Sequence, residues 1–386
     1  MFPSVPLLHL ILVSLTAHLA LAGSRITTSL YALSLHASEF TVGILISLFS
    51  LLPMLFAVPA GRLIDRIGIL RPMAAGGVAI GLGCALPSLI DGLQILYLAT
   101  VLIGSGFMVI QVAAQHTVGA MSAAEERAMN YSWLALGFSI SGFCGPVLAG
   151  LIIDDAPYHV AYMVFGCFAV GAVALIACGR LREIRVQTQD AQAAPGSAFD
   201  LLRHREMRNI YLVGTLLSSA WDLFTFVLPI HGARSGFAAS TIGLILGCFS
   251  AATFIVRLAM PWISRRLSEW QVLAGALVLA ALCYAIFPFV RQPVPLMMLA
   301  AILGLAVGSS QPNMLALLHH AAPAGRAGEA VGIRVTIGNA CQFVLPLAFG
   351  GAGATLGLTA VFWGMTAMIG AGLPIAWRKT ATLKAE

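Results

Sequence analysis

The sequence predicts an all-α polytopic membrane protein, with twelve transmembrane helices arranged as two six-helix bundles, and three observations carry that expectation. Of 386 residues, 59% are hydrophobic and only 9% are charged, a mixture too apolar for a water-facing surface. The apolar residues fall in long runs of about the 20 residues that a helix needs to cross a bilayer. Lipid offers the backbone no hydrogen bonds, and the runs lack the alternation of barrel strands, so they must be helices. Finally, the second half repeats the first at a fixed spacing.

Taken in order, the spans cover 5–30, 40–60, 72–90, 94–117, 128–152 and 158–179, then 209–230, 240–262, 270–289, 294–318, 329–350 and 356–377. The first has no Lys or Arg ahead of its apolar run and is too long for a signal-peptide core, so it reads as a retained span. The one long polar stretch is 180–208, with Gln187, Gln189, Gln192, Pro195, Gly196 and Ser197 in its middle. It divides an N-terminal bundle (1–180), a linker (181–208) and a C-terminal bundle (209–386). The linker's basic clusters suit anionic lipid headgroups. All seven cysteines lie in apolar segments without the spacing of a metal site or a disulfide framework, and read as small buried side chains. No cofactor or metal is expected.

Orientation follows from assigning loops alternately to the two sides. One side receives Arg62, Arg66, Arg71 and Arg127, the cluster in 180–208, and Arg265, Arg266, Arg326, Arg378, Lys379 and Lys384; the other receives only Arg234 and Arg291. Both termini and the linker are therefore expected in the cytoplasm of a bacterial-type inner membrane. The net charge of +6 reflects this orientation and not nucleic-acid binding, since no soluble domain exists to carry such a face.

A shift of two hundred residues pairs Gly43 with Gly243, Phe49 with Phe249, Ser50 with Ser250, Arg66 with Arg266, Gly104 with Gly304, Gln111 with Gln311, Pro146 with Pro346 and Gly150 with Gly350. Gln, Pro and Gly matching inside membrane helices at one offset indicate duplication. Parallel six-helix repeats place a polar site at the interface of the halves.

Between the second and third spans stand Gly61, Arg62, Leu63, Ile64, Asp65, Arg66, Ile67, Gly68 and then Arg71. This loop resembles the cytoplasmic signature of the major facilitator superfamily, Gly-x-Leu-x-Asp-Arg-x-Gly, with Ile69 and Leu70 where a basic pair is usual. The resemblance implies a gate in which Gly61 and Gly68 permit tight turning, Arg66 and Arg71 supply charge, and Asp65 docks at the start of the eleventh span, around 328–332. The fifth span contains Gly145, Pro146 and Gly150, which resemble the Gly-Pro motif of the antiporter branch, with Ser141 and Ala149 replacing two of its glycines. Ordinary small-residue packing explains the same residues without any meaning for transport direction. Thr100 stands where many drug-proton antiporters carry an arginine, so coupling through that arginine does not carry over.

Ionisable groups at membrane depth are costly and usually functional. Among the carboxylates only Asp222 lies well inside a span, about 20 Å along its helix from Arg208. Its repeat counterpart is Ala22, one turn from Arg25, so an ion pair of Arg25 with Asp222 is expected. Desolvation favours the neutral carboxyl and a nearby arginine the charged one. The pair would either exchange protons against substrate or simply lock two helices. Arg257 and Arg334 lie within about two turns of the cytoplasmic boundary, suited to gating, to attracting an anion, or to snorkelling. His18 and His116 either titrate near neutral pH or fill hydrogen-bonded positions. Gln111, Gln115, Gln311, Asn313, Asn339 and Gln342 form a neutral polar set that serves substrate or helix packing. Trp221, Phe224, Phe226, Phe107 and Trp133 offer aromatic surface to an amphipathic substrate or to lipid.

The resulting expectation is a secondary transporter exporting a small organic molecule, drug or metabolite, in exchange for protons by alternating access, and working as a monomer. The fifth-span motif favours export over a proton symporter importing a metabolite, and a non-transporting sensor would share the fold. An enzyme is disfavoured, because the sequence has no metal-binding His/Glu cluster, no Gly-x-Ser-x-Gly elbow and no nucleotide loop. Energy must then come from a proton or other ion gradient, or from the substrate's own.

Overall fold

The computed structural model describes residues 4–122, 126–178, 181, 198–323 and 326–382, and these are almost entirely helical. The first half contains α1 (Val5–Ser34), α2 (Glu39–Ile67), α3 (Leu70–Leu89), α4 (Leu93–Met121), α5 (Arg127–Asp155) and α6 (Tyr158–Ala177). After a short α7 (Ala198–Arg203) come α8 (Arg205–Arg234), α9 (Ala239–Ile263), α10 (Glu269–Ile286), α11 (Pro293–Gly308), α12 (Ser310–Ala321), α13 (Ala327–Leu356), α14 (Leu358–Gly370) and α15 (Leu373–Thr382). Twelve stretches of the described chain are long and apolar enough to cross a membrane, α11 with α12 forming one and α14 with α15 another. Of the linker expected at 181–208, residues 182–197 lie outside the described chain, while 198–208 is largely helical.

Helix ends are set by local chemistry that hydropathy does not register. The first span outruns its apolar core because Thr27 and Ser29 turn their hydroxyls back onto the carbonyls of Gly23 and Arg25, so polar residues are accommodated inside α1. Ser38 caps α2 by accepting the Thr41 N–H, and Ser268 with Gln271 forms a full capping box on α10.

The duplication is visible in these ends. Seven pairs of boundaries are two hundred residues apart: the starts and the ends of α1 and α8, the starts of α2 and α9, α4 and α11, α5 and α13, and α6 and α14, and the ends of α4 and α12. The turns after α1 and α8 are the same turn. His36 (φ 60°) bonds Leu33 O while Ala37 bonds Ala32 O; Gly236 (φ 74°) bonds Ala233 O while Phe237 bonds Gly232 O. Glycine adopts that positive φ freely, and His36 adopts it at a cost.

The chain forms two compact units, one of Met1–Ala191 with Gly232–Gly247, the other of Gln192–His231 with Cys248–Glu386. In the first, α1 packs on α5 and α6, α3 on α4 and α6, and α2 on α4. In the second, α10 packs on α11, α14 and α15, and α13 on α14. Lipid supplies no hydrophobic drive between helices, so close backbone approach and a few hydrogen bonds hold them. A Cβ on Gly104 would meet the Phe49 carbonyl, and one on Gly304 would meet the Phe249 carbonyl, the same contact in each repeat. Thr28 and Tyr162 share a buried hydrogen bond of 2.7 Å between α1 and α6.

Candidate substrate and coupling site

In the second unit, α8 brings Trp221 and Asp222 into the bundle on adjacent positions. Asp222 is 7% exposed and lies within electrostatic range of Tyr284 of α10 and Cys341 of α13. The Tyr284 hydroxyl itself donates to the Ala220 carbonyl, which ties α10 to α8 immediately beside the acid. Asp222 thus sits where three helices converge. Phe224 and Phe226 are fully buried, and Phe224 packs on Phe249 and Phe287 with ring centroids 4.7 and 5.5 Å apart, so these two rings build the core and do not form a ligand surface.

Trp221 is half-buried and meets Phe249 edge-on at 4.7 Å. The Arg257 guanidinium of α9 lies over the Trp221 ring, 5.9 Å from its centroid, a cation–π arrangement. Arg257 also donates through Nη2 to Gln311 Oε1 at 3.0 Å. Arg334 of α13 is close enough to Arg257 for their charges to repel. Asn313 is buried and donates to the Ser309 carbonyl at 2.7 Å, bridging the break between α11 and α12. Asn339 is half-buried on α13.

In the first unit, Arg25 on α1 stands 6.0 Å from the Phe49 ring centroid and acts electrostatically on His18, two turns earlier on the same face. His18 Nδ1 and Ser141 Oγ of α5 are 2.6 Å apart, and the imidazole lies against Phe107 and Phe138 at 5.1 and 5.2 Å. Gln111 is half-buried and Gln115 exposed on α4, the carbonyl of Gln115 accepting from the Tyr131 hydroxyl at 3.0 Å. Arg25 belongs to the first unit and Asp222 to the second.

Of the expected gate, Gly61 lies near Val112 of α4, Gly68 ends α2 at φ 77° with its N–H on the Ile64 carbonyl, and Arg66 and Arg71 are exposed. The side chains of Asp65, of 327–329 and of 331 lie outside the described residues, and with them the expected docking of Asp65. On α5 the Gly-Pro motif has two neighbours. Gly145 approaches Ala22 and Gly23 of α1, and Gly150 approaches the backbone of Ala239 and Ser240 at the start of α9. Pro146 offers its carbonyl side to Gly243.

One turn beyond Gly150, Asp154 accepts from the backbone N–H groups of Ala239 (2.7 Å) and Ser240 (3.0 Å), capping α9 from another helix. Nearby in sequence to that turn, Arg234 forms an ion pair with the buried Glu39. Sequence reasoning passed over Asp154 and the Arg234–Glu39 pair. The available signal was Arg234 itself, one of only two basic residues on its side of the membrane, together with an acid at the entrance of the second span.

Twelve apolar helices in two repeats, carrying an acid and several arginines within their spans, define a polytopic membrane transporter. The chain belongs to the Major Facilitator Superfamily, whose family model matches residues 10–346. It is similar to inner membrane transport protein YajR of Escherichia coli, 28% identical over 140 residues that span 36% of this chain and 30% of that protein. It is also similar to tetracycline resistance protein, class D, of Salmonella ordonez, 24% identical over 327 residues that cover 80% of this chain and 78% of the other. Among solved structures, a peptide transporter POT in complex with sulfate matches with a TM-score of 0.80 at 14% identity, over 98% of this chain and 94% of that one. A bacterial homologue of the human lysosomal transporter Spinster matches with a TM-score of 0.79 at 11% identity, over 97% and 96%. At these identities the structures establish the fold. Family and fold make this chain a transporter and not an enzyme.

Proposed function

We propose that the protein exports a small organic molecule, drug or metabolite, in exchange for protons, as a single chain in a bacterial inner membrane with both termini in the cytoplasm. The observation that carries this reading is Asp222, a carboxylate 7% exposed in the middle of a membrane helix. A charged carboxylate is costly in a dry site and cheap in a wet one, so a conformational cycle that changes its hydration moves a proton on or off. Export is supported by the Gly-Pro motif of α5 and by the similarity to tetracycline resistance proteins. The inner-membrane location is supported by the similarity to YajR, and the orientation by the distribution of Lys and Arg.

The test is flux in proteoliposomes with a pH-reporting dye inside, scanning a panel of organic compounds against wild type, Asp222→Asn and Arg25→Gln. An imposed pH gradient should drive at least one compound against its own gradient in wild type, with protons moving oppositely. Asp222→Asn should keep downhill exchange and lose pH-driven accumulation. Gradient-driven accumulation intact in Asp222→Asn would make the acid structural, and protons moving with the compound would make the protein a symporter.

A further inference from the structure

Proton coupling through Asp222 leaves unused two charges that lie within membrane-spanning helices. Arg257 lies six residues inside the end of α9, and Arg334 seven residues inside the start of α13, about 10 Å from the nearer helix end in each case. A snorkelling arginine points its head back toward water. Arg257 instead reaches across the unit, donating to Gln311 of α12 at 3.0 Å and lying over Trp221 of α8 at 5.9 Å. Arg334 has its Nε buried without a hydrogen-bond partner. Among the described residues neither arginine is ion-paired with a carboxylate. Two neighbouring guanidiniums, one with an unsatisfied donor, cost free energy in a low-dielectric setting, and an anion between them relieves both costs at once. Gln311 is exposed and Trp221 and both arginines are half-buried, so a ligand has access.

We infer that Arg257, Arg334, Gln311 and Trp221 form a recognition site for a flat organic oxyanion, its carboxylate or phosphate held by the two guanidiniums and its body lying against Trp221. Guanidinium forks match planar oxyanions with paired, charge-assisted bonds that a neutral analogue cannot make. Gln311 contributes by holding Arg257 in place, and Trp221 by supplying the aromatic face. The assignment rests on the transport reading and names its substrate class. It also has an energetic consequence: an anion leaving the cell and a proton entering both move positive charge inward, so an interior-negative membrane potential drives both legs.

The test is calorimetric titration of the purified full chain in detergent, with no gradient present, so that its outcome is separate from that of the coupling experiment. The probes are matched pairs: benzoate and benzamide, salicylate and salicylamide, indole-3-acetate and indole-3-acetamide, phenyl phosphate and phenol. At least one oxyanion should bind where its neutral partner does not. Arg257→Gln and Arg334→Gln should each weaken it by about tenfold or more, as expected for losing a hydrogen bond to a charged group. Arg334→Lys should recover part of that loss, and Arg266→Gln, at an exposed position, should change nothing. If either Gln variant fails to fold, the Lys variants carry the comparison, with the lost fork geometry still weakening binding. The assignment is wrong if no oxyanion outcompetes its neutral partner, or if binding is unchanged in the variants of both arginines.

Discussion

At the scale of single residues, what separates Asp222 from Asp154 is where each finds its partner. Asp222 announces itself in sequence because it is the lone acid deep inside an apolar run, and its burial, with 7% of its surface exposed, follows from that position. Asp154 stands at a helix end, where acids are common, and its role depends on the backbone of residues 85 and 86 positions later. Hydropathy and spacing carry no information on which helix start a distant carboxylate will meet. Its two N–H bonds, made with a full charge at the positive end of α9, predict a measurable cost on removal. Asp154→Ala should lower stability by about 1–2 kcal/mol, read as a drop in thermal unfolding temperature in detergent, and Asp154→Asn, which keeps one acceptor, should fall between. Equal stability of all three would mean that water caps α9 as well as Asp154 does. Arg257 was legible only as a charge near a boundary; that it turns toward Gln311 and Trp221 needed three helices in place.

At the scale of helices, the two-hundred-residue shift read from Gln, Pro and Gly was enough to foresee two matched sets of six spans, and the observed span starts keep that offset except for α3 and α10, which differ by one residue from it. The breaks at Ser309 and near Gly372 were not foreseen, because the apolar runs continue through both and hydropathy is blind to a lost backbone bond. The repeat has an energetic signature that can be tested. Gly104 and Gly304 each face a backbone carbonyl, of Phe49 and Phe249, and a main-chain atom cannot step aside as a side chain can. Gly104→Val and Gly304→Val should therefore each destabilise the protein by about 1–3 kcal/mol, by similar amounts, in a denaturation series. Gly275→Ala on α10 is the comparison: a Cβ there meets nothing within 4 Å, so the change should be neutral or slightly stabilising through helix propensity. A large loss at Gly104 with none at Gly304 would show that the repeats, though alike in sequence, no longer pack alike.

At the scale of the whole molecule, composition alone fixes that the solvent is lipid, and the family match agrees. The direction in which the molecule threads the membrane rests on a different quantity, the uneven division of Lys and Arg between the loops. That division predicts which ends of α8 and α9 meet the outside. The turn joining them, with its single Arg234, should be external, and the loop after α9, with Arg265 and Arg266, internal. Ser235 and Arg265 are both exposed, so each can be replaced by cysteine without disturbing a core. In intact cells a membrane-impermeant maleimide should label Ser235→Cys above the wild-type background and leave Arg265→Cys at background until the membrane is opened. The result bears directly on transport. With that topology, the arginine pair near the ends of α9 and α13 would meet the proposed organic anion as it arrives from the cytoplasm, which would suit capture for export. Labelling in the opposite sense would put the same pair near the outer surface, where it would gather anions for uptake, and the export reading would fall with the topology that supports it.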